Sequence, residues 1–207
     1  IHPQDAGALR SWFDGKNTVL LAGPGLGESA APVCNALLGK KAPWSAAVLD
    51  ADALNALAAG KIKGPLPDQT VITPHPGEAA RLLDCTVGEV QADREAAARR
   101  LAGMYHCIAV LKGRGTLIAT PGGEVYHNPT GSAGLAKGGS GDILAGLLSG
   151  LLAAGLKQDR TAEDAAIAAV WLHGAVGDRC AKRLGMATML PHDIFADLGA
   201  IFAELER

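Results

Sequence analysis

The residues best placed for chemistry are Gly138-Gly139-Ser140-Gly141-Asp142, which run directly into the apolar stretch Ile143-Leu144-Ala145-Gly146-Leu147-Leu148. That pattern puts glycines and one carboxylate at the start of a helix. The first N–H groups of a helix have no intrahelical acceptors, and glycine lets a ligand approach without a Cβ in the way, so the spacing builds an anion-binding turn. Asp142 falls beside that anion, where a carboxylate can take the proton of a hydroxyl attacking phosphorus. The competing reading is conformational: Asp142 caps a core helix and the glycines form a plain turn.

Several elements must cooperate to hold such a turn against a substrate. Short apolar runs bounded by turn residues read as buried strands at Val19–Ala22, Ala46–Leu49, Val71–Thr73 and Ile108–Leu111. Thr116–Ala119 and Glu124–His127 read as a hairpin around Pro121-Gly122-Gly123. Helical patterns fall between and after the strands: Asp93 to Leu101 is rich in Ala, Arg and Glu, and Thr161-Ala162-Glu163-Asp164 opens an Ala-rich helix reaching about Leu184. This alternation predicts an α/β fold, a mostly parallel central sheet with helices on both faces. In such sheets ligands bind beyond the carboxyl ends of the strands. The segments there are Gly23-Pro24-Gly25-Leu26-Gly27, Asp50-Ala51-Asp52-Ala53-Leu54-Asn55, Thr73-Pro74-His75-Pro76-Gly77-Glu78 and Lys112-Gly113-Arg114-Gly115-Thr116, each glycine-rich, charged or both.

Composition narrows the partners. The 207 residues hold 19 Lys+Arg against 21 Asp+Glu, with no basic run, so nucleic acid is not an expected partner. Aromatics make up only 4%, which also argues against a base-stacking surface. Cys34, Cys85, Cys107 and Cys180 form no C-x-x-C pair, and free thiols in a cytoplasmic protein are the expectation. Apolar stretches are broken by Gly, Lys or Asp short of a membrane span, so no membrane partner is expected. His2, His106, His127 and His173 lack metal-ligand spacing and read as surface or satisfied core histidines; Trp171 and Leu172 read as the packed face of their helix.

Taken in order, the four segments, the continuation Ala79-Ala80-Arg81-Leu82-Leu83 and the stretch Gly131 through Gly146 resemble the ADP/ATP-dependent NAD(P)H-hydrate dehydratases, a branch of the ribokinase-like superfamily. The resemblance covers most of the chain. It implies repair of a nicotinamide cofactor: the S form of NADHX or NADPHX, hydrated on its reduced ring, is returned to NADH or NADPH at the expense of ADP or ATP, with Mg2+. Asp142 would be the catalytic base. Lys112, Gly113, Arg114, Gly115 and Thr116, with Gly139, Ser140 and Gly141, would bind the nucleotide phosphates. Gly25, Gly27, His75, Glu78 and Arg81 would hold the hydrate, with Glu78 acting on Mg2+ through water. Asp50, Asp52 and Asn55 match the family pattern but are read as structural, as helix caps and the crevice floor. The rivals are a ribokinase-like kinase for a hydroxymethylpyrimidine, hydroxyethylthiazole or sugar, and a catalytically silent nucleotide-binding protein.

Two departures from the family pattern stand out. Relatives carry a strand–helix region ahead of the Gly23 motif, and the chain is read as a single domain over 1–207 lacking it, which would leave an apolar sheet edge open. Ser132-Ala133 replaces the Asn-Pro common in relatives. Relatives are often fused to an N-terminal hydrate epimerase domain and often form homo-oligomers; the Ala-rich helices here can pack against a sister subunit or within one domain.

Overall fold

The computed structural model describes residues 3–11, 17–38 and 43–205. Six strands form one sheet in the order β1 (Val19–Ala22), β2 (Ala46–Leu49), β3 (Gln69–Ile72), β4 (Ile108–Leu111), β5 (Leu117–Ala119) and β6 (Val125–His127). The first four are parallel and the β5–β6 hairpin adds antiparallel to β4, so the predicted mostly parallel sheet is what the chain forms. β2 and β4 are buried along their whole length, which is why they read as continuous apolar runs rather than alternating ones. β1 is an edge strand among the described residues, and its Leu21 is 37% exposed.

Nine α-helices are described. α1 (Ala6–Ser11) precedes the sheet, whereas α2 (Ala30–Leu37), α3 (Asp52–Ala58), α4 (Pro76–Leu82), α5 (Val87–Ala92) and α6 (Arg94–Tyr105) lie in the crossovers. α7 (Ser140–Gly155), α8 (Ala162–Leu184) and α9 (Phe195–Leu205) follow the hairpin. Alternating sheet residues point to two cores. Ala47, Leu49, Ile72, Ala109, Leu111, Leu117 and Ala119 pack on the crossover helices. Ala46, Val48, Val71, Ile108, Val110 and Ile118 pack on Leu144, Leu148 and Leu152 of α7 and on Ala-rich α8.

Local signals set the helix starts. Thr161 caps α8 in a reciprocal box with Asp164, as the Thr161-Ala162-Glu163-Asp164 pattern predicts. Two expectations need correction. Trp171 is 37% exposed on α8 while its neighbour Leu172 is buried, because consecutive helical residues point about 100° apart. The segment Ser140–Gln158 is long and apolar enough, by length and composition alone, to cross a membrane; Leu144, Ala145, Leu148 and Leu152 within it are core residues of the sheet sandwich. Its other side, with Ile143, Gly146, Leu147, Gly150 and Leu151, lines an apolar depression together with Phe195.

Candidate active site

Each parallel strand ends in a segment that reaches the same edge of the sheet, and side chains lace those segments together. Gly23 sits at φ +131, and a Cβ there would collide with the Asp50 carbonyl oxygen, so only glycine lets β1 end against the loop after β2. The N–H of Gly27 donates to Asp52 Oδ2 at 2.8 Å, which ties the Gly23–Gly27 loop to the start of α3. Gly25 is exposed, with open space around it. Arg81 Nε donates to Asn55 Oδ1 at 3.0 Å and so joins α4 to α3.

The segment after β3 is a capping box. His75 Nδ1 accepts from the N–H groups of Gly77 (3.0 Å) and Glu78 (3.3 Å), and Glu78 Oε2 accepts from the His75 N–H at 2.8 Å. Pro76 occupies the first helical position, where its missing N–H costs nothing. Because Nδ1 accepts, His75 keeps Nε2 as its one free ring nitrogen, 3.6 Å from Glu78 Oε1. Glu78 is buried, and its Oε2 is 3.9 Å from Lys112 Nζ.

Lys112 follows buried β4, and its N–H donates to the Pro74 carbonyl at 2.8 Å. Its ammonium pairs with Asp50 Oδ1 at 2.8 Å; Asp50 is only 2% exposed, and Oδ1 also accepts from the Ala51 N–H. A Cβ placed on Gly141 would lie 3.3 Å from Lys112 Nζ and 3.7 Å from Asp50 Oδ2. The glycine turn, the lysine and the aspartate therefore meet at one point. Beneath the Lys112–Thr116 loop, Arg94 Nη2 donates to the carbonyls of Leu111 (3.2 Å) and Gly115 (3.3 Å), spanning the loop at both ends. Thr116 Oγ1 donates within the loop to Gly113, whereas Arg114 projects outward and is exposed.

At the start of α7, Gly139 has φ +93, a conformation glycine adopts without penalty. The N–H of Ser140 donates to Lys137 O at 3.2 Å, so Ser140 contributes its hydroxyl rather than its amide; Gly139, Gly141 and Asp142 have no backbone acceptor for theirs among the described residues. Asp142 is exposed and makes no ion pair there. Ser140 Oγ shares a 3.2 Å hydrogen bond with Nε2 of buried His173. Burial pushes that imidazole down to about 4; the bond to Ser140 opposes the shift, and the Lys112 charge adds to it. His173 is thus a satisfied core histidine in contact with the turn. His127 pairs with Glu95 at 2.9 Å, His106 ends α6 in the left-handed conformation, and His2 lies outside the described residues. Burial raises the Cys34 thiol to about 11 and Cys107 to about 12, which leaves both unreactive near neutrality.

A family model described as NAD(P)H-hydrate dehydratase matches residues 7–199. The chain belongs to the NAD(P)H-hydrate dehydratase family. It is 43% identical over 197 residues to a bifunctional NAD(P)H-hydrate repair enzyme of Moorella thermoacetica, covering 91% of this chain and 35% of that one. It is 47% identical over 146 residues to an ADP-dependent (S)-NAD(P)H-hydrate dehydratase of Neisseria meningitidis, covering 69% and 48%. Among solved structures, an ADP/ATP-dependent NAD(P)H-hydrate dehydratase of Bacillus subtilis, co-crystallized with ATP/Mg2+ and soaked with CoA, superimposes with a TM-score of 0.76 at 34% identity, over 90% of this chain and 66% of that one. The chain spans between about a third and a half of the length of these two curated relatives.

Within this family frame, two residues of the site escaped sequence reasoning. Asp50, read there as structural, is the direct counterion of Lys112; the signal available was a carboxylate ending a fully buried strand. Arg94, which clamps the Lys112–Thr116 loop, carried no signal, because its partners are backbone carbonyls. The donor set also bears on Mg2+. No three His, Cys, Asp or Glu side chains cluster among the described residues, and Glu78 Oε2 is committed to the His75 N–H. Such sparse ligation suits an ion that arrives on phosphates and keeps most of its waters, with Glu78 Oε1 left for a contact through water.

Proposed function

We propose that this chain catalyses the Mg2+-dependent, ADP- or ATP-driven dehydration of (S)-NADHX and (S)-NADPHX to NADH and NADPH. The observation that carries this reading is the meeting of the Gly138–Asp142 turn with the Lys112–Asp50 pair at Gly141, beside the His75–Glu78 cap. The free N–H groups of Gly139, Gly141 and Asp142 would face the phosphoryl group being transferred, and each donor aimed at developing charge is worth about 3 kcal/mol. Lys112 would add a point charge to the phosphate oxygens, while Asp50 holds its ammonium in place. Asp142, exposed beside those amides, would accept the proton of the ring hydroxyl as its oxygen attacks the terminal phosphorus. Phosphate then leaves with the electron pair of the ring C–O bond, supported by the ring nitrogen lone pair, and loss of a proton from the adjacent carbon restores the double bond. Mg2+ would supply neutralising charge on the phosphates. Gly25, Gly27, His75 and Arg81 would hold the hydrate, with Gly27 and Arg81 fixed by Asp52 and Asn55. In the parent protein, a hydrate epimerase domain fused on the N-terminal side fits the bifunctional relatives.

The deciding experiment follows the return of dihydronicotinamide absorbance from hydrated NADH, with Mg2+ and either ADP or ATP. Nucleotide-dependent recovery is expected from this chain, falling about 10²–10⁴-fold in Asp142→Asn with unchanged thermal unfolding. Undiminished activity in Asp142→Asn would remove Asp142 as the base.

A further inference from the structure

Lys137 sits one residue ahead of the glycine turn, and its side chain reaches the segment that follows α8. Its ammonium donates to the carbonyl oxygens of Met186 (3.2 Å), Ala187 (3.0 Å) and Met189, all in the segment that leaves α8. Lysine has three N–H donors and no acceptor, so the three carbonyls satisfy it fully. No carboxylate pairs with it among the described residues. Backbone carbonyls ringing one positive charge are the donor set of a weakly hydrated monovalent cation, whereas a small divalent ion favours carboxylates and water.

The caged segment is joined to the turn by packing as well as by charge. Met189 is fully buried, and its Sδ occupies the space a Cβ on Gly134 would need; Pro191 lies 3.9 Å from the Cβ position of Gly139. The Lys137 main chain belongs to the turn itself, since its carbonyl accepts from Ser140 and its N–H donates to Leu135 O at 2.8 Å. Three carbonyl dipoles converging on one point repel each other unless a cation stands between them.

We propose that Lys137 is a tethered monovalent cation: its ammonium clamps the 185–190 segment onto the Gly138–Asp142 turn and sets the direction of the turn's N–H groups without a free potassium or ammonium ion. Lys137 is a positioning residue in this scheme. Its effect on nucleotide rests on the reading of the turn as the phosphate site.

The test is Lys137→Met in the full chain, which keeps the length of the stem and removes the donors. Thermal unfolding and calorimetric Mg–ADP affinity are measured in equal concentrations of lithium, sodium, potassium and ammonium chloride. The unsubstituted chain is expected to be indifferent to the cation. In lithium the variant is expected to unfold at a lower temperature and to bind ADP about tenfold more weakly, and potassium or ammonium is expected to restore both. A variant that matches the unsubstituted chain in lithium, or one whose loss is the same in all four salts, overturns the proposal. If the Met variant does not fold, Lys137→Gln is judged by the same criteria. If the unsubstituted chain binds no nucleotide, the phosphate-site reading fails, and cation-selective recovery of the unfolding temperature still decides whether the cage holds a replaceable cation.

Discussion

Lys112 Nζ and Asp50 Oδ1, 62 residues apart in sequence, lie 2.8 Å apart at the point where the loops after β2 and β4 meet the start of α7. Asp50 is 2% exposed and the Lys112 side chain 19%, so the pair is mostly shielded from water. Asp50→Ala leaves the ammonium, among the described residues, with the more distant Glu78 at 3.9 Å. A fully buried pair would cost 3–5 kcal/mol to break in this way; with partial exposure the expected loss is about 2 kcal/mol by urea unfolding. A double-mutant cycle with Lys112→Met is expected to give a coupling energy above about 1 kcal/mol, and additive effects would show that the pair is not coupled.

Arg94 spans the Lys112–Thr116 loop by donating to Leu111 and Gly115 carbonyls. Arg94→Met removes both donors, and the expected result is an ADP KM raised about tenfold with little change in the hydrate KM. The path to a lysine ammonium is one atom shorter than the path to Nη2, so Arg94→Lys is expected to rescue only part of the loss. Equal changes in both KM values would assign Arg94 to general stability.

His75 caps α4 through Nδ1 and keeps Nε2, 3.6 Å from Glu78 Oε1, as a second polar atom, and the two roles can be separated. His75→Ala is expected to lower stability by about 1 kcal/mol, whereas His75→Asn, with a favoured capping side chain, should restore it. Hydrate affinity that stays low in His75→Asn would assign the Nε2 position to substrate contact; affinity that returns with stability would leave His75 as a cap alone.

His173 makes stability depend on pH. The unfolded chain takes up a proton on this ring below its ordinary 6.5, but the folded chain does so only near 4, so stability falls as pH drops through that window and gains nothing from this ring above it. A fall from 6.5 to about 4 sets a ceiling of about 3 kcal/mol. Urea unfolding at about pH 7.5 and about pH 5 should show a steeper loss in the unsubstituted chain than in His173→Gln; equal slopes would place the acid sensitivity elsewhere.

The strands and the family were legible in the sequence for one physical reason: both are written in short, contiguous stretches. Ala46–Leu49 and Ile108–Leu111 are buried on both faces and therefore appear as uninterrupted apolar runs, and these two and the edge strand Val19–Ala22 have the boundaries observed in the fold. The Gly138–Asp142 turn and the Thr161–Asp164 box are local, since a helix terminus depends on residues three or four apart. The links between segments were not legible. Asp50 with Lys112, Arg94 under the loop after β4, Lys137 in its carbonyl cage and His173 behind Ser140 join residues 17 to 62 positions apart. Several of these partners are main-chain carbonyls, which every residue possesses and no sequence pattern marks. The sequence by itself determined which loops carry charge and glycine. Only the folded sheet, by bringing the ends of its parallel strands to one edge, decided which of those charges neutralise one another and which stay free to meet a ligand.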